Sequence, residues 1–246
     1  MAGSSGGEMS FWDHLEELRG TLVRSIIALC LASVLFLCIR TLLFKAVLWP
    51  SRPDFILYRL LGLDFSMSLI NIDISAQFFV HLKISFLCAA VVTFPYIVWE
   101  IWKFVAPALY DNERKSVSRA FLLSSWLFYL GVAVGYFIVL PVCLMFFMNY
   151  SVSPDVVNTI SLGSYIGLFT SMVFLIGILF EFPTVILALS GMGIVRRDML
   201  RKGRKFAIVA VLLLSALITP SDPFSMFVLA LPLYGLYEFS ILMARK

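Results

Sequence analysis

The feature that most constrains this chain is a series of long runs with no charged residue. They cover 25–39, 84–99, 120–154, 156–180, 182–195, 206–221 and 223–237. Runs of this kind suit the hydrocarbon core of a bilayer, where helices satisfy every backbone polar group internally. The run 120–154 holds one span ending near Pro141, and a second span runs through Glu181. The expected fold class is therefore an all-α polytopic membrane protein. Its six transmembrane helices lie at about 22–42, 77–100, 120–142, 165–190, 206–220 and 224–243. A mean hydropathy of +0.97 with only 14% charged residues excludes an ordinary soluble domain.

Lysine and arginine set the expected orientation. Arg19 and Arg24, Lys103 to Arg119, Arg196 to Lys205, and Arg245 with Lys246 place 14 cations on one side. Arg40, Lys45, Arg52 and Arg59 lie in or beside the first loop of the other side and form a partial exception, softened by Asp54, Asp64 and Asp73. The positive-inside rule puts both termini in the cytoplasm. The chain then reads as a single membrane domain, 1–246. It has a cytoplasmic N-terminal segment (1–21), a first outer loop (43–76) and two cytoplasmic loops (102–119 and 191–205). The start "MAGSSGGEMS" has neither a basic n-region nor a cleavage site, so no signal peptide is expected, and no Arg-rich transit peptide either. The last two charge-free runs, 16 and 15 residues, span only about 23 Å against a bilayer core of ~30 Å, so local thinning is expected there.

Within this apolar chain, "SFWDHLEELRGTL" (10–22) crowds Asp13, Glu16 and Glu17 beside His14 and Arg19. Ser10 can cap a helix, with Asp13 in a capping-box-like position. Acids in a first helical turn are favoured by the macrodipole, which is the plainer reading of Asp13 and Glu16. Glu17 lies deeper, at the membrane entry, and is the better binding candidate. In "WEIWKFVAPALYDNERKSVSR" (99–119), Pro107 breaks a helix and Asp111-Asn112-Glu113 starts the next. The dipole explains these acids, and so does function, because two carboxylates at one membrane face can grip guanidinium groups in bidentate fashion. Glu181, in "GILFEFPTV", is an acid inside a span, which marks function by default; its plainer reading is a polar helix-packing contact. Lys83 and His81 read as snorkelling outward, Asp222 as a cap of the last helix, and Glu238 as a partner for a basic loop residue. The four cysteines all lie in apolar runs without metal-ligand spacing and read as small buried hydrophobes.

The chain holds no Gly-rich phosphate loop, no H-E-x-x-H and no G-x-S-x-G, and its two histidines leave little for acid–base catalysis. No catalytic residue, metal or cofactor is expected, and no nucleic-acid partner.

The motifs together resemble one family, the TatC component of the twin-arginine protein translocase. They are "HLEELRGTL", "WKFVAPALYDNERK", "FEFP", "LRKGRKFAIV", "LITPSDPFS" and "LALPLYGLYE", in that order from Phe11 to Arg245. The resemblance implies a non-enzymatic receptor in the prokaryotic plasma (inner) membrane. Such a receptor binds twin-arginine signal peptides of folded cargo, assembles with TatA- and TatB-type single-span partners and with itself, and draws on the proton-motive force. It implies that Glu17 and Glu113 engage the arginine pair, with Arg19, Phe104, Pro107, Leu109 and Tyr110 on the same surface; the nearness of Arg19 to Glu17 along the chain suggests in addition that it holds Glu17 in place until the ligand arrives. It assigns Glu181 to contact with a partner helix, and Pro50 and Asp222 to functionally important outer positions. The short fifth and sixth helices gain a use, since a thinned bilayer eases passage of cargo.

Two other classes compete. A proton-coupled small-solute transporter would use Glu181 as its proton carrier, but the sequence has no clear repeats or broken-helix pairs. A passive assembly scaffold would tolerate neutral side chains at 17 and 113.

Overall fold

In the computed structural model, residues 11–63, 65, 67–106, 111–153, 155, 158–219 and 222–244 are described, without the side chains of Phe11, Asp13, 111–116 and Arg119. The chain is a helical bundle. Its elements run α1 (Phe11–Cys38), α2 (Arg40–Val47), a 3-10 turn (Trp49–Ser51), α3 (Ile56–Leu61), β1 (Leu69–Ile70), α4 (Ala76–Val105) and α5 (Asp111–Val134). A π turn (Gly135–Val139) leads into α6 (Leu140–Asn149), followed by β2 (Ile160–Ser161) and α7 (Leu162–Phe169). A second π turn (Thr170–Leu175) precedes α8 (Ile176–Leu179) and α9 (Phe182–Gly191). The chain closes with α10 (Arg197–Lys202), α11 (Arg204–Ile218) and α12 (Pro223–Met243).

Among the described residues, five helical stretches are long and apolar enough to cross a bilayer: His14–Cys38, Ala76–Val105, Ala120–Asn149, Leu162–Gly191 and Pro223–Met243. The expected sixth span, 206–220, corresponds to α11, whose 15 residues at ~1.5 Å each fall well short of a ~30 Å core. One strand pair departs from the all-α expectation. β1 and β2 pair in parallel with Leu69 opposite Ile160 and Ile70 opposite Ser161, which joins two loops at one end of the bundle.

Helix ends differ from the sequence expectation for identifiable reasons. The apolar stretch of the first helix runs from His14 rather than about 22, its first turns packing on α4 through His14 and Phe104, and the expected cap Ser10 lies outside the described residues. The helix stops at Cys38, after which Ile39 (φ −99°, ψ 44°) turns the chain into α2. The third span does not end at Pro141. Proline lacks an N–H and its ring clashes with the preceding turn, but the π turn widens the backbone just ahead of it, and the helix continues to Asn149. Asp222 caps α12, as expected, its Oδ2 accepting the Ser225 N–H at 2.6 Å.

The bundle order follows the packing. α1 lies against α4, α4 against α5 and α7, α5 against α8 and α9, α9 against α12, and α12 against α11. α1 is the edge: 6% of its most apolar stretch is buried, against 39–44% in the other four spans. Cys30 and Cys38 are therefore exposed, Cys88 is half-buried, and only Cys143 meets the expectation of burial. The main core gathers Phe55 and Tyr58, Ile84, Leu140 and Leu144, Ile166, Met172 and Ile176, and Leu229.

Glycines let α5 approach the second π turn and α8 closely. A Cβ on Gly131 would stand 2.7 Å from the Phe180 side chain and 2.9 Å from the Gly177 Cα, and one on Gly135 would collide with the Met172 carbonyl. "GVAVG" (131–135) is thus a small-residue crossing of the kind that membrane helices use in place of hydrophobic attraction.

Candidate functional site

Contacts along the bundle bring the start of α1, the end of α4, the start of α5 and the end of α12 to one end of the molecule. His14 stacks on Phe104 with ring centroids 4.3 Å apart, and Trp102 meets Phe121 at 5.0 Å. Ser124 reaches Glu181, and the Tyr237 hydroxyl donates to the Leu200 carbonyl at 2.6 Å. Residues 11 and 244 share this end, which also carries most of the arginine and lysine of the chain. It is called the basic end below.

α1 presents a stripe to α4. His14, Glu17, Thr21 and Arg24 recur at the three- and four-residue spacing of one helix face. Phe104 covers His14, Thr21 is buried, and Arg24 reaches Glu100, so Glu17 falls on this seam between two fixed contacts. Glu17 is half-buried and, among the described residues, its carboxylate has no ion pair or hydrogen bond. Arg19 lies on the opposite side of α1, exposed, and does not pair with Glu17, contrary to expectation. Residues two apart on a helix do not face each other. Of the other expected site residues, Phe104 is half-buried on the seam. Glu113 stands in the first turn of α5, its side chain outside the described residues, and Pro107, Leu109 and Tyr110 also lie outside them.

Sequence reasoning passed over Glu100. It is 1% exposed and accepts hydrogen bonds from Arg24 Nε at 2.6 Å and Lys103 Nζ at 2.9 Å, with Lys103 also 5.7 Å from the centre of the Trp99 ring. The signal was present in "WEIWK", where an acid sits three residues before a lysine inside an aromatic run.

Glu181 sits where α8 gives way to α9, with Pro183 in the first turn that follows. The Ser124 hydroxyl donates to its Oε2 at 2.6 Å, while Oε1 is buried near Thr184 and the Phe128 backbone and, among the described residues, neither Oε1 nor Thr184 Oγ1 has a partner within hydrogen-bonding geometry. Towards the C-terminal end of α12, Arg204 donates to Glu238 Oε2 at 2.7 Å and the Tyr234 hydroxyl to Oε1 at 2.9 Å, so the expected pairing of Glu238 with the basic loop is present.

At the far end, residues 40–61 form a folded cap over the bundle. Three tyrosine hydroxyls hold it by donating to backbone carbonyls: Tyr136 to Ala46 at 2.7 Å, Tyr165 to Val47 at 2.7 Å, and Tyr58 to Pro50 at 2.8 Å. Pro50 is buried in this arrangement, and burial raises the Tyr58 phenol well above its ordinary pKa, which keeps it a donor. Among the described residues no group of three His, Cys, Asp or Glu side chains is arranged to hold a metal.

A family model described as Sec-independent protein translocase protein (TatC) matches residues 13–232. The chain belongs to the TatC family. The TatC of Blattabacterium (subspecies Periplaneta americana) is 36% identical over 250 residues, covering 95% of this chain and 94% of that protein. The TatC of Escherichia coli strain K12 is 34% identical over 232 residues, covering 94% and 86%. A crystal structure of the twin-arginine translocase receptor TatC in DDM superposes with a TM-score of 0.80 at 31% identity, covering 95% of this chain and all of that one. This TatC-family chain is accordingly a membrane component of a Sec-independent protein translocase, a transport protein rather than an enzyme.

Proposed function

We propose that this TatC-family chain is the receptor of a twin-arginine translocase, binding the arginine pair of signal peptides at its basic end. The observation that carries the reading is Glu17, a half-buried carboxylate held between the Phe104–His14 stack and the Arg24–Glu100 pair, with no ion pair among the described residues. An uncompensated carboxylate on a helix seam is costly in the free protein and suited to an incoming guanidinium, which donates two parallel hydrogen bonds. Glu113 supplies the second carboxylate, and Arg19, Phe104, Pro107, Leu109 and Tyr110 border the pair. α11 completes six spans, with both termini in the cytoplasm and the chain in the prokaryotic inner membrane. Glu181, whose Oε1 has no partner among the described residues, receives a polar group from the helix of a TatA- or TatB-type protein. Asp222 and Pro50 shape the outer face. The proton-motive force drives the export that follows.

Binding of a fluorescent twin-arginine signal peptide to the full chain in nanodiscs tests this. Glu17→Gln and Glu113→Gln each weaken binding by about 10- to 100-fold, the range expected for loss of a charge-assisted pair. The double variant loses less than the sum of the two, because one peptide spans both acids. Unchanged affinity in both single variants would contradict the reading.

A further inference from the structure

Five cations lie away from the basic end, and the positive-inside pattern does not account for them. Three of them, Arg40, Lys45 and Arg52, line one cavity of ≈ 660 Å³ at the far end, walled by α2, the 3-10 turn and the first turns of α4. All three are exposed and, among the described residues, none has an ion pair. No Asp or Glu belongs to the described lining. His81 also lines it, its Nε2 buried without a hydrogen-bond partner and its ring 5.7 Å from Phe44. Three other cations of this protein do have counter-charges, Arg24 and Lys103 at Glu100 and Arg204 at Glu238. Here three are gathered with no counter-charge in the described lining, and an entering anion relieves their mutual repulsion.

The remaining wall selects which anion. Phe44 and the exposed Phe78 give the cavity an apolar flank at the helix ends, the level at which lipid headgroups meet their chains. A free inorganic anion gains nothing from that flank, whereas a phospholipid uses both parts. The geometry points to a site for an anionic phospholipid at the far end, in the leaflet opposite the basic end. Arg40, Lys45 and Arg52 hold its phosphodiester, His81 Nε2 donates a further hydrogen bond, and an acyl chain lies along Phe44 and Phe78. The bound lipid ties the tyrosine-held cap to the bilayer, and the site stands whether or not the receptor reading does.

Native mass spectrometry of the full chain in mild detergent, titrated with dioleoylphosphatidylglycerol, tests it. The expected result is binding about tenfold tighter than that of dioleoylphosphatidylcholine, reduced tenfold or more in the variant R40Q/K45Q/R52Q. A variant lacking three cations of the basic end, R201Q/K202Q/K205Q, keeps the lipid. Should the far-end triple variant fail to fold, Arg52→Gln, outside any helix, carries the same expectation at about threefold. Equal retention of phosphatidylglycerol by wild type and far-end variants overturns the site. Displacement of the lipid by millimolar inorganic phosphate overturns the lipid as occupant and leaves a free-anion site.

Discussion

Three acids of this protein meet the low-dielectric environment in three ways. Glu100 is buried and doubly paired, Glu238 is paired with Arg204 and Tyr234, and Glu17 is half-buried with no partner among the described residues. Breaking a buried pair costs more than the pair contributes, because it strands the remaining charge. Glu100→Gln is therefore expected to destabilise the protein by about 1–3 kcal/mol, the lower part of the range for buried pairs since Arg24 and Lys103 are half-exposed. Thermal unfolding in detergent checks it, and a midpoint within error of wild type would show that the cluster is incidental. The Asp222 cap and the Glu238 pairing were legible in the sequence because their partners lie at fixed helical offsets or in the only basic loop nearby. Glu100 was not, because the reading worked from charge-free runs and an acid at the edge of a run counts only as a boundary. The Arg19–Glu17 contact was misread from proximity along the chain, which a helix does not preserve at a spacing of two.

At the scale of elements, apolar runs marked all the long helices but not their interruptions. A π turn has no composition of its own, so the two at 135–139 and 170–175 were invisible, and with them the continuation past Pro141. Both lie where α5 and its π turn cross the second π turn and α8, and they bring Gly135 against the backbone of Met172. A methyl group there must push the helices apart. Gly135→Ala is expected to lower stability by about 1–3 kcal/mol, the cost of overpacking, despite the better helix propensity of alanine. A rise in unfolding temperature on that substitution would mean that the close crossing contributes nothing. The sequence offers the cap at residues 40–61 only as the end of the first span, to 42, and the outer loop from 43. The cap's anchors Tyr136 and Tyr165 stand 90 and 118 residues from the carbonyls they hold, and no local pattern announces such a contact.

Across the whole molecule, the two edges and the two ends differ in kind. α1 leaves most of its apolar face open, and α11, packed on α12, is too short for a full core thickness. The far end is closed by a tyrosine-pinned cap, while the basic end presents Glu17 on a seam and the first turn of α5 beside it. An end rich in cations at which Glu17 has no ion pair among the described residues is arranged to hold a cationic ligand in one place and repel it elsewhere, which is a means of specificity. The central claim is that Glu17 and Glu113 hold the arginine pair together. Photo-crosslinking between positions 17 and 113 and a signal peptide that carries the probe beside its arginine pair, which leaves both carboxylates in place, tests it most directly when Arg-Arg is compared with Lys-Lys. The account predicts crosslinks at both positions with Arg-Arg and their loss with Lys-Lys, since lysine cannot form the bidentate contact. Equal labelling by the two peptides, or labelling at neither position, would contradict it.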